Sequence, residues 1–372
     1  MPRAERLARA RFESLLAPAG IALDGSAPHD IRVRDERFIA RVLAEGSLAL
    51  GESYMDGWWS SERLDEFFAR VLAAGLDRTT APGWTKRLGA VLFPLGRRSK
   101  AFDIGERHYD LGNELFEAML DRRMIYSCAL WENAVTLDDA QERKLDLVCR
   151  KAGLKAGQRV LDIGCGWGGL ARFAVERYGV SVVGITVSKE QAAFAAERLR
   201  GLPVEIRLED YRDLSGRFDA IVSLGMFEHV GPRHHRTFFE VVRRCLRKEG
   251  LFVLHTIGNF ETTSAPDPWI LKYIFPQSHI PSLARIASAA DGLFVVEDVQ
   301  NLGAEYDPTL MAWHANVEAR RSSLPARYDE RFHRMWRYYL LSCAGSFRAR
   351  HNQLFQLVLS PRGVAGGWRT AR

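Results

Sequence analysis

The chain has 372 residues, 47% hydrophobic and 26% charged, with a formal net charge of +6. That suits a globular protein of one large or two ordinary domains with an ample core, and the positive balance favours an anionic partner: nucleic acid, a phospholipid surface or an acidic small molecule. No apolar run approaches the roughly 20 residues that cross a bilayer, and residues 1–16 hold no apolar core of signal-peptide length. The five cysteines at 128, 149, 165, 245 and 343 form no C-x-x-C pair. Such a set argues against a disulfide framework or a metal site and points to a reducing cytoplasm.

Arg3, Arg6, Arg9 and Arg11 stand among Leu7, Phe12, Leu15 and Leu16 at helical spacing. A basic amphipathic helix is expected, able to lie on an anionic membrane or to pack on its own domain. Residues 31–33 read as a short strand. Phe38, Ile39, Val42 and Leu43 predict a helix ending at Gly46, and residues 51–59 read as a glycine- and aromatic-rich turn. Leu64, Phe67, Phe68, Val71 and Leu72 repeat as an amphipathic helix. Residues 77–103, with Pro82, Gly83, Pro94, Gly96 and the run Arg97-Arg98-Ser99-Lys100, read as a linker with a basic face. His108, Tyr109 and Asp110 then lead into a helical pattern carried by Leu115, Phe116, Met119 and Leu120. Tyr126, Ser127 and Cys128, followed by Trp131, read as a lid over a site. Residues 136–149 read as a helix with Thr136 as N-cap and Asp139 three residues on.

From Arg159 onward, strand candidates at 159–163, 181–186, 204–208, 218–224, 250–257, 293–299 and 353–359 alternate with helix candidates at 169–178, 188–200, 233–247 and 281–290. The alternation predicts a mostly parallel sheet covered on both faces, with ligands at the C-terminal strand ends. At the first such end stand Asp162, Gly164, Gly166, Gly168 and Gly169. This D-x-G-x-G-x-G spacing differs from the dinucleotide G-x-G-x-x-G and resembles the first motif of class I S-adenosylmethionine (SAM) methyltransferases. At the second end, Thr186 stands where many such enzymes carry an acid, with Ser188 and Gln191 close by; hydroxyl and amide can still bond ribose hydroxyls. At the third, Asp210 can accept from an adenine amino group and Tyr211 can pack on the ring. Glu228 and His229 follow the fourth strand and His255 lies on the fifth, titratable groups at the mouth of an apolar site. Residues 301–351 read as an insertion. It contains Tyr306, Cys343 and a basic aromatic helix (Arg327, Arg331, Arg334 and Arg337 with Phe332, Trp336 and Tyr339), suited to grip an anionic headgroup or to form a salt-bridged surface.

Tyr126-Ser127-Cys128, the stretch 160–169, Gly225-Met226-Phe227-Glu228-His229-Val230-Gly231, His255-Thr256-Ile257, Gly303-Ala304-Glu305-Tyr306 and residues 344–350 together closely resemble the cyclopropane-fatty-acyl-phospholipid synthase family, over nearly the whole chain. The resemblance implies an α/β fold: a Rossmann-like class I SAM methyltransferase domain with a seven-stranded, mostly parallel sheet at 104–372, and a smaller, mainly helical, membrane-associating domain at 1–100. It implies SAM as methylene donor to a cis double bond in a phospholipid acyl chain, with bound bicarbonate as general base. Tyr126, Ser127, Asp162, Gly164, Gly166, Gly168, Thr186, Gln191, Asp210 and Tyr211 become the expected cofactor contacts. Cys128, Glu228, His255, the backbone of Ile257 and Tyr306 become the expected bicarbonate cradle, with Cys343 near the reacting centre. It further implies a homodimer at the inner face of the cytoplasmic membrane. Two other readings stand beside it: a methyltransferase leaving a methyl or methylene branch, and a basic lipid- or nucleic-acid-binding protein with a degenerate cofactor site. No nucleic-acid motif accompanies the net charge, and retention of the cradle residues favours ring closure.

Overall fold

The computed structural model describes residues 3–79, 111–262, 266–369 and 371. Most of the expected linker, with Arg97, Arg98 and Lys100, lies outside the described residues, as do His108, Tyr109 and Asp110. The chain forms two compact units, one spanning residues 1–94, 264–276 and 306–352, the other 95–263, 277–305 and 353–372.

The first unit is helical, with one small antiparallel ribbon of β1 (Arg32–Val33) and β2 (Trp59–Ser60). Its helices include Arg3–Leu16, Arg37–Glu45, Ser47–Met55, Leu64–Ala73, Pro268–Tyr273 and Glu330–Arg348. Apolar residues at helical spacing turn inward, so that Phe12, Phe38, Phe67 and Phe68 are buried. The Trp59 ring centre lies 5.4 Å from Phe67 and 6.2 Å from Phe38, with Phe12 in turn 5.6 Å from Phe38 and Phe68 5.1 Å from Phe67. The basic face of the first helix is partly committed to its own unit, because Arg9 pairs with Asp24 at 2.8 Å, Glu13 at 3.2 Å and also Glu36.

Two expectations are corrected here. Residues 51–59 are not a turn throughout: the helix Ser47–Met55 runs through Gly51. A Cβ at Gly51 would come within 2.3 Å of the Trp269 ring, so this glycine makes room for an aromatic ring rather than for a bend. The expected boundary near residue 100 also differs from the observed division, because 264–276 and 306–352 belong with the N-terminal residues. Aromatic packing is the reason. Tyr338, on the Glu330–Arg348 helix, lies 4.4 Å from Trp269, 5.1 Å from Phe68 and 5.5 Å from Tyr54. The arginines of that helix turn to the same unit: Arg334 donates to the Trp59 carbonyl at 2.8 Å, and Arg348 donates to Asp65 at 2.6 Å and Asp307 at 2.9 Å.

The second unit carries a seven-stranded mixed sheet of β3 (Arg159–Ile163), β4 (Ser181–Thr186), β5 (Val204–Leu208), β6 (Phe218–Leu224), β7 (Leu246–Asn259), β8 (Val295–Asn301) and β9 (Asn352–Ser360), in the order β5-β4-β3-β6-β7-β9-β8. The pairs β3–β4, β4–β5, β3–β6 and β6–β7 are parallel, and β8–β9 is antiparallel. Alternation along each strand divides the core between the two faces. Val160, Val182, Ala220 and Val222 pack with Leu145, Val148 and Phe173. Leu161, Ile163, Val183, Ile185 and Ile221 pack with Phe238, Phe239 and Phe252. The helix Leu137–Lys151 starts as expected, with the Thr136 side chain accepting from the Asp139 N–H.

Candidate active site

Strand order reverses between β3 and β6, so the connections leaving these two strands diverge and open a cleft at their carboxyl ends. A cavity of about 170 Å³ lies there. Its wall contains Tyr126, Ser127, Asp162, Gly164, Gly166, Thr186, Gln191, Asp210 and Tyr211, together with Met226, His229 and His234. Of the expected cofactor contacts only Gly168 is not in this wall. It supports the loop from behind, where a Cβ would come within 2.5 Å of Leu199. Gly164 has φ +85° and a Cβ there would come within 2.7 Å of Met226, whereas a Cβ at Gly166 would meet nothing within 4 Å. Main chain at Gly166 is therefore open to close approach by a ligand.

Polar groups in the wall are held by short bonds. Thr186 Oγ1 donates to Gln191 Oε1 at 3.0 Å, which leaves the Gln191 amide NH2 for a ligand. Asp210 accepts from Arg212 Nε at 2.8 Å and Nη2 at 2.6 Å. Ser127 is fixed from the Leu137–Lys151 helix: Lys144 Nζ donates to its hydroxyl at 2.8 Å and Gln141 Nε2 to its carbonyl at 2.8 Å. Burial pushes the Asp162 carboxyl up to about 7, against the opposing pull of the Lys144 ammonium. Burial likewise lowers Lys144 to about 8 and His229 to about 4, so His229 is neutral.

A second polar cluster follows β6. Glu228 sits in the 3-10 turn Phe227–His229, and its Oε1 accepts the Ile257 N–H at 2.7 Å. Its Oε2 is buried with no hydrogen-bond partner among the described residues. Burial raises the Glu228 carboxyl to about 7. His255, two residues before Ile257 on β7, has Nδ1 3.3 Å from Gln356 Nε2, while its Nε2 is buried and without a partner among the described residues. Burial drives this imidazole well below its ordinary value, so it is neutral. Cys128 is buried in the same unit, its thiol 3.3 Å from the Ala129 carbonyl and 4.0 Å from that of Leu302. Tyr306 and Cys343 belong to the first unit. The Tyr306 ring lies 4.5 Å from Phe347, and burial pushes the Cys343 thiol up to about 12.

Three residues escaped the sequence reading: Gln141, Lys144 and Gln356, all fully buried. On the helix Leu137–Lys151, residues 141, 144 and 148 share the inward stripe, so a signal for the first two existed in their place beside Leu145 and Val148. Gln356 carried the same signal, a polar residue within an apolar strand run.

The sheet order, the antiparallel β8–β9 pair and the cavity above the glycine loop define a class I SAM-dependent methyltransferase. The family model for mycolic acid cyclopropane synthetase matches residues 97–357, and the chain belongs to that family. The chain is 55% identical over 361 residues to the cyclopropane-fatty-acyl-phospholipid synthase of Escherichia coli (strain K12), covering 96% of this chain and 94% of that protein. It is 34% identical over 367 residues to tuberculostearic acid methyltransferase UfaA1 of Mycobacterium tuberculosis (strain ATCC 25618 / H37Rv), covering 92% of this chain and 85% of that one. Among solved structures, mycolic acid cyclopropane synthase CmaA1 complexed with SAH and CTAB matches with a TM-score of 0.66 at 33% identity, covering 71% of this chain and 99% of that chain.

Proposed function

We propose that this chain adds a methylene group from SAM across the cis double bond of an unsaturated phospholipid acyl chain, closing a cyclopropane ring, with bound bicarbonate as general base. The observation that carries the base is the pair of buried atoms Glu228 Oε2 and His255 Nε2, both without a hydrogen-bond partner among the described residues, in the unit that holds the cofactor cavity. A neutral imidazole can donate to a small oxyanion, and a carboxyl raised to about 7 exists near neutrality in both forms, the protonated one able to donate to the anion and the ionised one able to take up a proton. When bound, SAM would supply an electrophilic methyl carbon for the alkene, and bicarbonate would supply a base for the proton released on ring closure.

The chain's own residues hold these groups in place. The main chain at Gly166 leaves room for the methionine part of the cofactor, and Gly164 lines the same loop against Met226. Thr186 and Gln191 are assigned to its ribose hydroxyls, Asp210 to its adenine amino group, Tyr211 to the ring face, and Tyr126 and Ser127 to the cover. Cys128, Glu228, His255, the Ile257 backbone and Tyr306 are assigned to bicarbonate, with Glu228 positioning a donor or receiving the proton onward and Cys128 as a hydrogen-bond partner or packing group. An alkene is a weak nucleophile, so orientation and exclusion of water are the main contributions asked of the protein. The acceptor lies in a membrane, which is consistent with a peripheral, homodimeric enzyme at the inner face of the cytoplasmic membrane.

The test is lipid conversion on vesicles in CO2-depleted buffer with and without added bicarbonate. Conversion that rises with bicarbonate supports the base; conversion indifferent to it assigns the proton to a side chain, with Glu228 first in line.

A further inference from the structure

β9 is apolar along most of its length, with Leu354, Phe355, Leu357, Val358 and Leu359 all buried. Gln356 interrupts this run and is itself fully buried. Burying an amide in such surroundings is costly unless its polar atoms are bonded. One atom is: Gln356 Nε2 lies 3.3 Å from His255 Nδ1 on the neighbouring strand β7. The other two polar atoms of the pair, Gln356 Oε1 and His255 Nε2, are buried without partners among the described residues.

The consequence is a choice of tautomer. With the Gln356 amide turned so that its NH2 faces the ring, the amide donates and Nδ1 accepts, and the single ring proton of the neutral imidazole then resides on Nε2. A buried N–H donor without an acceptor is costly in the folded chain, and it is the group an anion would satisfy.

We propose that Gln356 is a positioning residue that holds His255 as its Nε2–H tautomer, so that the ring presents a donor to the bicarbonate of the cradle. The inference rests on the cradle reading given above, and it acts through His255 without contact between Gln356 and the anion. Gln356→Glu is the informative change. A carboxylate accepts from Nδ1–H and so reverses the tautomer, leaving Nε2 a lone pair facing the anion. Gln356→Leu removes the preference altogether.

The test has two readouts. In the full-length chain with 15N-labelled histidine, NMR long-range couplings identify which ring nitrogen carries the proton, with the His255 signals assigned by their loss in His255→Gln. Nε2-protonated His255 in the unaltered chain, without lipid or cofactor, is expected; Nδ1 protonation overturns the proposal and needs no variant to do so. The second readout is the bicarbonate response of lipid conversion. Gln356→Glu should raise the bicarbonate KM by about 10–100-fold, as loss of an orienting partner does elsewhere, while S-adenosylhomocysteine affinity by calorimetry stays within about two-fold. An unchanged bicarbonate KM with a reversed tautomer overturns it. If conversion by the unaltered chain ignores bicarbonate, the cradle reading fails, while the NMR result still decides the tautomer separately.

Discussion

Glu228 is the residue to which the proposed chemistry assigns proton handling, and its surroundings set the sign of its pH dependence. Its carboxyl ordinarily titrates near 4.5 and is raised by burial to about 7. Below both values the folded and unfolded chains are equally protonated. Between them the folded chain keeps a proton that the unfolded chain has lost, so stability declines as pH rises through that window. Glu228→Gln keeps an oxygen for the Ile257 N–H and removes the titration. Its Tm relative to the unaltered chain should therefore be more favourable at pH 8 than at pH 5; an offset that does not change with pH would mean the carboxyl is not held neutral. The same change should lower turnover by about 10²–10⁴-fold, the usual worth of a proton-handling group, with cofactor affinity nearly intact. Collapse of cofactor binding in calorimetry would instead make Glu228 part of the cofactor wall. At this scale the sequence was informative where chemistry is contiguous: the glycine loop and the Glu228-His229 pair stand as visible runs. Lys144 and Gln356 left only the trace of a polar residue at an inward position of a helix or strand, which is read as a solvent-facing side chain until a structure shows it buried.

Among the elements, strands β3 to β6 were legible to the residue, since β3, β4 and β6 are apolar runs and β5 alternates apolar and charged residues, each closed by a turn. Errors arose where one residue type serves two purposes. Gly51 was read as a turn former, yet it lies in a helix beneath Trp269. Gly345 has a comparable role between the helices Glu330–Arg348 and Leu64–Ala73. A Cβ there would come within 2.6 Å of the Asp65 carbonyl oxygen and 2.8 Å of the Ala69 nitrogen, backbone atoms that cannot turn aside. Gly345→Ala should cost about 1–3 kcal/mol by overpacking, despite alanine's higher helix propensity. Thermal unfolding measures it, and an unchanged or raised Tm would show that the two helices separate at little cost.

For the whole molecule, the sheet class followed from strand–helix alternation, but the division into units did not. Residues 264–276 and 306–352 belong to the first unit although they are distant in sequence from the rest of it, and no periodicity records which distant surface a helix will meet. A chain cut at residue 104 would take Tyr54 and Phe68 away from Tyr338, and Met55 away from Trp269, so membrane attachment is better tested in the full chain. Replacing Arg97, Arg98 and Lys100 by serine should weaken binding to anionic vesicles, by about 1 kcal/mol per charge at most, and reduce its salt sensitivity. Unchanged co-sedimentation across salt concentrations would assign membrane contact elsewhere. The central claim, ring formation on a lipid double bond, is tested most directly with SAM deuterated in its methyl group and vesicles of a cis-unsaturated phospholipid. Mass spectrometry should find lipid that has gained one carbon with two deuterium atoms, with the third lost as a proton equivalent, and ozonolysis of that product should find no alkene. Gain of an intact CD3 group, an alkene that survives in the product, or no lipid change in the presence of bound cofactor would contradict it.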